Sequence, residues 1–240
     1  PGIVRAASMR YAAGFRKDVT LEDGTLVRLR AIRPSDAPLV QEAYQRLSGS
    51  SRFFRFLGGS PALTEDVLRY LVSPDGRDRF GVVAVFTSLD LKTAQLVGGG
   101  SFARLAGEPQ VAEASVTVID ELQNRGLGEA LLVVLRDAAL ERGITRFRAE
   151  VHEENGPMVH LLERAGVEPR EREDGVLTFD VPLRDAEERR PFFELLAVAA
   201  AGQILRALAR LGLPGATPAE AGSSGAFPRE SDRPTPDDLP

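Results

Sequence analysis

The chain has 240 residues, 43% of them hydrophobic, which suits one domain of ordinary size with appendages. A formal net charge of −5 argues against the dominant basic face of a nucleic-acid-binding domain. The absence of cysteine excludes disulfides and a thiol nucleophile, and no apolar run reaches the roughly 18 residues of a transmembrane segment. Residues 1–17 show no signal-peptide core with a cleavage site, so we expect a cytoplasmic protein.

The first third of the chain predicts short strands and short helices behind a loose start. Residues 1–18 carry no period and are expected to form a flexible extension. Residues 25–32 alternate in the manner of a strand, and the turn at Asp23-Gly24 before them predicts a hairpin. Helices are predicted over residues 37–47 and from residue 64 to about residue 72.

Two apolar strands are predicted next, over residues 80–89 and 95–105. The second contains Gly98-Gly99-Gly100. Three successive glycines inside a strand indicate a bulge or a close approach of another part of the backbone.

The stretch from residue 112 to residue 139 predicts a binding site for an anion. An apolar run over 114–119 stops at a polar turn, and residues 125–128 then open an amphipathic helix. The first N–H groups of a helix have no partner within the helix, and its N-terminal dipole end is positive. Gly126 and Gly128 lack a Cβ, so a phosphate can approach the backbone closely. By itself this pattern fits a nucleotide, a phosphate or a cofactor.

The rest of the predicted domain returns to mixed structure. A strand over 144–151 is followed by a helix over about 155–166 and by a hairpin of residues 167–173 and 176–183. This order indicates an α/β domain over residues 19–185, with a mixed, partly antiparallel sheet flanked by helices.

The last residues have a different composition. Residues 186–213 are rich in Ala and Leu and predict an extra C-terminal helix, and residues 214–240 are rich in Pro, Gly and Ser and predict a disordered tail. The helix is open to three roles: packing on the domain, pairing two subunits as a homodimer, or lying on a membrane surface. Its polar face has few basic residues, which favours the first two roles.

The residues from Gln123 to Gly128 match the Gln/Arg-x-x-Gly-x-Gly/Ala pattern of the GNAT acetyltransferase superfamily. The order of strand, glycine turn, helix, strand, helix and hairpin around them resembles GNAT domains over roughly residues 24–183. The stretches RLRAIRPSDA, LSGSSRFFRFLG and AEASVTVIDELQNRGLG further resemble bacterial Pat-type protein lysine acetyltransferases.

This resemblance implies acetyl-CoA as cosubstrate and a site for each of its parts. Backbone groups of Val116, Thr117 and Val118 would pair with the pantetheine arm as an added strand does. Asn155 would contact the same arm from the opposite helix. The residues implied around the pyrophosphate are Gln123, Asn124, Arg125, Gly126, Leu127, Gly128 and Glu129. No metal is expected, because His152 and His160 lack the spacing of a metal motif.

The resemblance also places a general base at Glu113. A lysine amine has a pKa near 10.4, so its neutral form costs about 5 kcal/mol at pH 7, and a nearby carboxylate can accept the proton. Many GNAT enzymes have a tyrosine as general acid at the position of Leu162. Its absence leaves two alternatives: the thiolate departs without an acid, or Ser115 or His160 donates the proton.

Three functions stay open from the sequence. The first is transfer of an acetyl group to the ε-amine of a protein lysine by direct attack, with acyl-CoA synthetases as a substrate class that the resemblance suggests. The second is acetylation of a small amine. The third is a regulatory module that binds acyl-CoA without turnover.

Overall fold

The computed structural model describes most of the predicted domain. The described residues are 9–47, 63–87, 94–123, 125–153, 159, 162–163, 167–173 and 175–183. Asn124, Asn155, His160, the C-terminal helix predicted over 186–213 and the tail predicted over 214–240 lie outside these ranges.

Eight strands and three α-helices form the described part of the chain. The strands are β1 (Arg16–Thr20), β2 (Leu26–Ala31), β3 (Arg79–Thr87), β4 (Ala94–Leu105), β5 (Glu108–Val118), β6 (Arg146–His152), β7 (Pro169–Glu173) and β8 (Val176–Pro182). The helices are α1 (Ala37–Arg46), α2 (Glu65–Val72) and α3 (Leu127–Glu141), with 3₁₀ turns at Pro34–Asp36 and Asp120–Leu122.

The strands form one mixed sheet in the order β1-β2-β3-β4-β5-β6-β8-β7. The β5–β6 pair is parallel, because α3 carries the chain between these strands, and the other six pairs are antiparallel. The prediction of a mixed, partly antiparallel sheet flanked by helices is confirmed. The β1–β2 and β7–β8 hairpins also form where the sequence predicts them.

The glycine triplet lets the sheet carry helices close to its surface. A Cβ on Gly100 would lie 2.8 Å from Leu135 Cδ1 and 2.9 Å from the Ser115 carbonyl oxygen, and one on Gly98 would lie 3.4 Å from Leu131 Cδ1. Both positions therefore face α3. A Cβ on Gly99 would instead lie 3.2 Å from the Val82 carbonyl oxygen and 3.8 Å from Val83 Cγ1, because successive residues of a strand point to opposite faces. The predicted bulge is present, because the β3–β4 register shifts between Ala84 and Val85 beside Gly98, and side chains of α3 pack closely on one face of the triplet.

Residues 9–18 are packed on the domain, in contrast to the flexible extension expected over residues 1–18. Tyr11 and Phe15 are buried in the core, with ring centroids 4.8 Å apart. The Tyr11 hydroxyl donates to Asp137 at 2.9 Å, and its backbone N–H donates to Glu141 at 3.1 Å, so the segment is fixed on α3. Two aromatic rings in an aperiodic stretch give no strand or helix pattern, although their burial stabilises it.

Candidate functional site

The sheet opens between β5 and β6 beyond Glu113. These strands pair only where Val111 to Glu113 lies beside Arg146 to Arg148. From there β5 continues to Val118 beside β4, while β6 continues to His152 beside β8. The β6-facing edge of residues 114–118 is thus a strand edge with no strand partner among the described residues. An extended chain can pair with such an edge through main-chain hydrogen bonds.

A four-residue ionic cluster fastens the strands where they are still paired. The Arg148 guanidinium donates to Glu108 at 2.6 and 2.9 Å and to Asp180 at 2.8 and 3.0 Å, and Arg170 bonds the same two carboxylates. Hydrogen bonds from Arg148 lower the pKa of Glu108 to about 2. The cluster connects β5 to β8 across β6, next to the point at which the sheet divides.

The glycine turn forms the other end of β5. Gly126 has φ +82° and precedes the first residue of α3, a conformation that side-chain-bearing residues rarely adopt. Among the described residues no side chain caps this helix, so the N–H groups of its first turn are open to a ligand. The structure thus places Gly126, Leu127, Gly128 and Glu129 at the start of a 15-residue helix, where an anion binds favourably.

The β1–β2 turn lies against this glycine turn. Arg125 donates to Asp23 at 2.6 Å, and the Glu22 N–H faces the Arg125 carbonyl oxygen at 3.4 Å. Hydrogen bonds from Thr25, and also from Arg125, lower the pKa of Asp23. Sequence reasoning missed this contact, because a turn about 100 residues away gives no local signal.

Gln123 is oriented towards the protein. Its side-chain amide donates to the Val118 carbonyl oxygen at 3.2 Å and to Asp120 at 2.8 Å. In this position the side chain ties the end of β5 to the 3₁₀ turn. Gln123 would therefore affect phosphate binding indirectly, through the shape of the turn that it holds.

Glu113 lines an open cleft with a cavity volume of about 40 Å³ on the sheet face opposite α3. Its residue surface is only 7% exposed. Tyr70 of α2 lines the same cleft, and the Arg79 guanidinium lies 4.2 Å from the Tyr70 ring centroid. Burial raises the pKa of Tyr70, Arg79 opposes the shift, and the charge of Glu113 adds to it. A buried carboxylate and a protonated phenol therefore share one cleft.

Sequence reasoning missed Tyr70 because its helix is remote from Glu113 in the sequence. The position of the usual general acid, Leu162, belongs to the core. Leu162 is fully buried within the hydrophobic core. Ser115, one of the two alternative donors, is buried at the cleft with its hydroxyl 3.3 Å from that of Ser101. The hydroxyl groups of Tyr70, Ser101 and Ser115 therefore line the same cleft as Glu113, whereas the sequence indicated only Ser115 among them.

Two other site classes find no counterpart in the described residues. Among them, no group of three His, Asp or Glu side chains is arranged to hold a metal ion. No helix in the same ranges is both long enough and apolar enough to cross a bilayer.

Comparisons with known proteins all identify acetyltransferases as similar to this chain. The model of the acetyltransferase (GNAT) domain family matches residues 27–168. Acetyltransferase Pat of Mycolicibacterium smegmatis is 29% identical over 192 residues, which are 79% of this chain and 56% of that protein. Acetyltransferase PA5475 of Pseudomonas aeruginosa is 32% identical over 140 residues, 58% of this chain and 73% of that protein.

The crystal structure of the GNAT domain of S. lividans PAT is also similar. It superposes with a TM-score of 0.60 at 30% identity and covers 70% of this chain and 96% of that domain. The present chain spans just over half the length of the M. smegmatis relative.

Proposed function

The chain belongs to the GNAT acetyltransferase family, an acyltransferase family whose cosubstrate is acetyl-CoA, and from this premise we propose that it acetylates the ε-amine of protein lysines. The observation that carries the proposal is the arrangement along β5. Glu113 is buried at the point where the sheet divides, and the glycine turn lies at the far end of the same strand.

The residues fit the parts of acetyl-CoA in order. The uncapped first turn of α3 with Gly126 suits the pyrophosphate, since main-chain N–H groups and the helix dipole both favour an anion. The open edge at Val116, Thr117 and Val118 suits the pantetheine amides. The same N–H groups can stabilise the oxyanion that forms on the thioester carbonyl.

Direct attack then needs only one proton acceptor on the amine side. The lysine nitrogen attacks the thioester carbon, the C–N bond forms, and the C–S bond breaks to release the CoA thiolate. Glu113 accepts the proton that the amine loses, directly or through water. Ser115 and Tyr70 are hydroxyl groups within the same cleft that can hydrogen-bond the amine or the departing thiolate.

Two features support a protein acceptor. The similarity to Pat enzymes extends over most of the chain, and one of them is the S. lividans PAT domain. The chain itself contains two lysines, Lys17 and Lys92, so few of its own side chains would compete as acceptors. We also propose a cytoplasmic location, where acetyl-CoA and acyl-CoA synthetases are available.

The test is incubation with acetyl-CoA and a lysine-bearing acyl-CoA synthetase, or with a polyamine in its place. Acetyl-lysine is detected by mass spectrometry, and released CoA is measured with a thiol reagent, to which this cysteine-free chain contributes nothing. We expect acetyl-lysine on the synthetase. Transfer to the polyamine alone would favour a small-amine enzyme, and binding of acetyl-CoA without transfer would indicate a regulatory module.

Glu113→Gln tests the base. We expect kcat/KM at pH 7 to fall by about 10²–10⁴-fold, with a smaller loss as the pH approaches the lysine pKa of about 10.4. Glu171→Gln is the matched control, because Glu171 is exposed on the edge strand β7. An unchanged rate for Glu113→Gln at neutral pH would rule out this residue as the base.

A further inference from the structure

A second cavity lies on the same sheet face as the Glu113 cleft, beneath α1. Its cavity volume is about 90 Å³, and it shares Leu71, Gly81 and Ser101 with that cleft, so the two spaces adjoin. Its wall is mainly apolar. Side chains of α1, β3 and β4 that line it include Val40, Ala43, Val83 and Leu96.

Missing side chains on the sheet keep this cavity open. Gly99 is the member of the glycine triplet that faces away from α3, and Gly81 lies on the same face. A Cβ on Gly81 would come within 2.7 Å of Ile32 Cγ2, so a side chain at this position would force Ile32 to move. The packing of α3 accounts for Gly98 and Gly100, but it does not account for Gly99.

One polar atom at this cavity has no partner among the described residues. Thr117 Oγ1 is buried and makes no hydrogen bond with the described residues, although Thr117 lines the cavity. Nearly all buried polar side-chain atoms in proteins have a partner. A hydroxyl in this position suits an oxygen atom of a ligand that enters an otherwise apolar space.

The order of side chains along β5 shows which part of the reaction this end serves. Glu113, Ser115 and Thr117 project to one face, and Thr117 lies about 13 Å from Glu113 along the strand. The polar end at Glu113 suits the incoming amine. The thioester lies at the open strand edge between Glu113 and Thr117. Its acyl chain can then extend into the apolar cavity at Thr117.

We propose that the cavity bounded by Gly99 and Thr117 binds the acyl chain of an acyl-CoA, so that the enzyme transfers acyl groups of four or more carbons as well as acetyl. This inference rests on the proposed function for the position of the thioester. The chemistry is unchanged: the amine nitrogen bonds to the acyl carbon, the C–S bond breaks, Glu113 takes the amine proton, and CoA leaves as the thiolate. The Thr117 hydroxyl donates to the thioester carbonyl oxygen.

Calorimetric titration of the whole chain with CoA, acetyl-CoA, butyryl-CoA and hexanoyl-CoA tests the proposal without turnover. Burial of one methylene strengthens binding about fourfold, so we expect butyryl-CoA, which has two more methylenes, to bind about fifteenfold more tightly than acetyl-CoA. Equal or weaker binding of the longer thioesters would overturn the proposal.

Variants show where the acyl chain lies. Gly99→Ala and Ala43→Leu narrow the cavity from the sheet and from α1, and each should remove the preference for longer chains while acetyl-CoA affinity is kept. Gly14→Ala is the matched control, because nothing lies within 4 Å of a Cβ there. Ala43→Leu leaves the strands unaltered, so it serves if Gly99→Ala folds poorly.

Thr117→Val separates the hydroxyl from the shape of the side chain. We expect weaker binding of every acyl-CoA, unchanged binding of free CoA, and a higher melting temperature of the free protein, because an unpaired buried hydroxyl is removed. A lower melting temperature, or equal losses for CoA and acyl-CoA, would show that the hydroxyl already has a structural role and would contradict the proposal.

The acceptor substrate is the competing occupant. If it fills the cavity, the narrowing variants will raise KM for the amine with every acyl donor and leave acyl-CoA affinities unaltered, which would overturn the proposal. Failure of the proposed function has a different signature. In that case acetyl transfer to amines is absent, while the titrations still report whether the cavity binds acyl chains.

Discussion

Gly100→Ala is the change that most directly tests how the sheet carries α3. The new methyl would lie 2.8 Å from Leu135 Cδ1, 2.9 Å from the Ser115 carbonyl oxygen and 3.0 Å from Val116 Cγ2. Two of these contacts involve β5, one of them its backbone, and the third is a fully buried leucine of α3. The clash therefore requires β5 or α3 to move.

The magnitude follows from two opposed effects. Overpacking of a well-packed core costs about 1–3 kcal/mol. Replacement of glycine by alanine restricts the unfolded chain and thereby stabilises the folded state by about 0.4–1 kcal/mol. We therefore expect a net destabilisation of about 1–2 kcal/mol, which corresponds to a melting temperature lower by about 2–8 °C for a domain of this size.

Urea unfolding monitored by circular dichroism measures this difference, with Gly14→Ala as the control. Gly14 has open space at its Cβ position, so the control should be as stable as the wild type or slightly more stable. Acyl transfer by Gly100→Ala should also fall, because a displaced β5 moves Ser115 and Val116 at the thioester. A Gly100→Ala protein with wild-type stability would refute the close packing of α3 on the glycine triplet.

Three further predictions concern titrating groups. Arg148 lowers the pKa of Glu108 to about 2, so the contribution of this carboxylate to stability is present above the ordinary carboxyl pKa of 4.5 and is lost as the pH falls towards 2. The urea midpoint of Glu108→Gln should therefore lie below that of the wild type at pH 7, and the two midpoints should converge in acid. A difference that does not depend on pH would contradict this. Burial raises the pKa of Tyr11 to about 12, so the wild type should lose stability relative to Tyr11→Phe as the pH rises from 10 towards 12, and parallel thermal-melting curves would speak against it. Asp23→Asn removes the partner of Arg125, which can then bind a phosphate. Calorimetry should show CoA binding that is up to a few fold tighter at low salt but unchanged at 1 M salt. Weaker binding would show that the ion pair supports the site.

Much of the fold could be predicted because its signals are local. The alternation of β2, the Thr64 cap of α2 and the turn glycine before α3 each depend on a few successive residues. The Thr64 hydroxyl accepts from the Val67 N–H at 3.3 Å, as a helix cap does. The same holds for the strand, turn and helix around Gly126, whose predicted order the structure confirms.

The site was predictable only in part, because its halves come from distant segments. The position of Glu113 on β5 followed from the resemblance, and its burial beside Tyr70 depends on how α2 packs on the sheet. The ion pair between Arg125 and Asp23 likewise joins residues with no shared pattern in the sequence. Neither contact leaves a periodic signal.

The sequence alone predicts the order of elements, the glycine turn before α3 and the family pattern around Gln123 to Gly128. The tertiary structure is needed to assign a role to each glycine of the triplet. Gly98 and Gly100 admit α3, while Gly99 opens the opposite face to the cavity beside Thr117. The pattern of a strand fixes which residues share a face, but the elements that pack on each face depend on contacts between segments far apart in the chain.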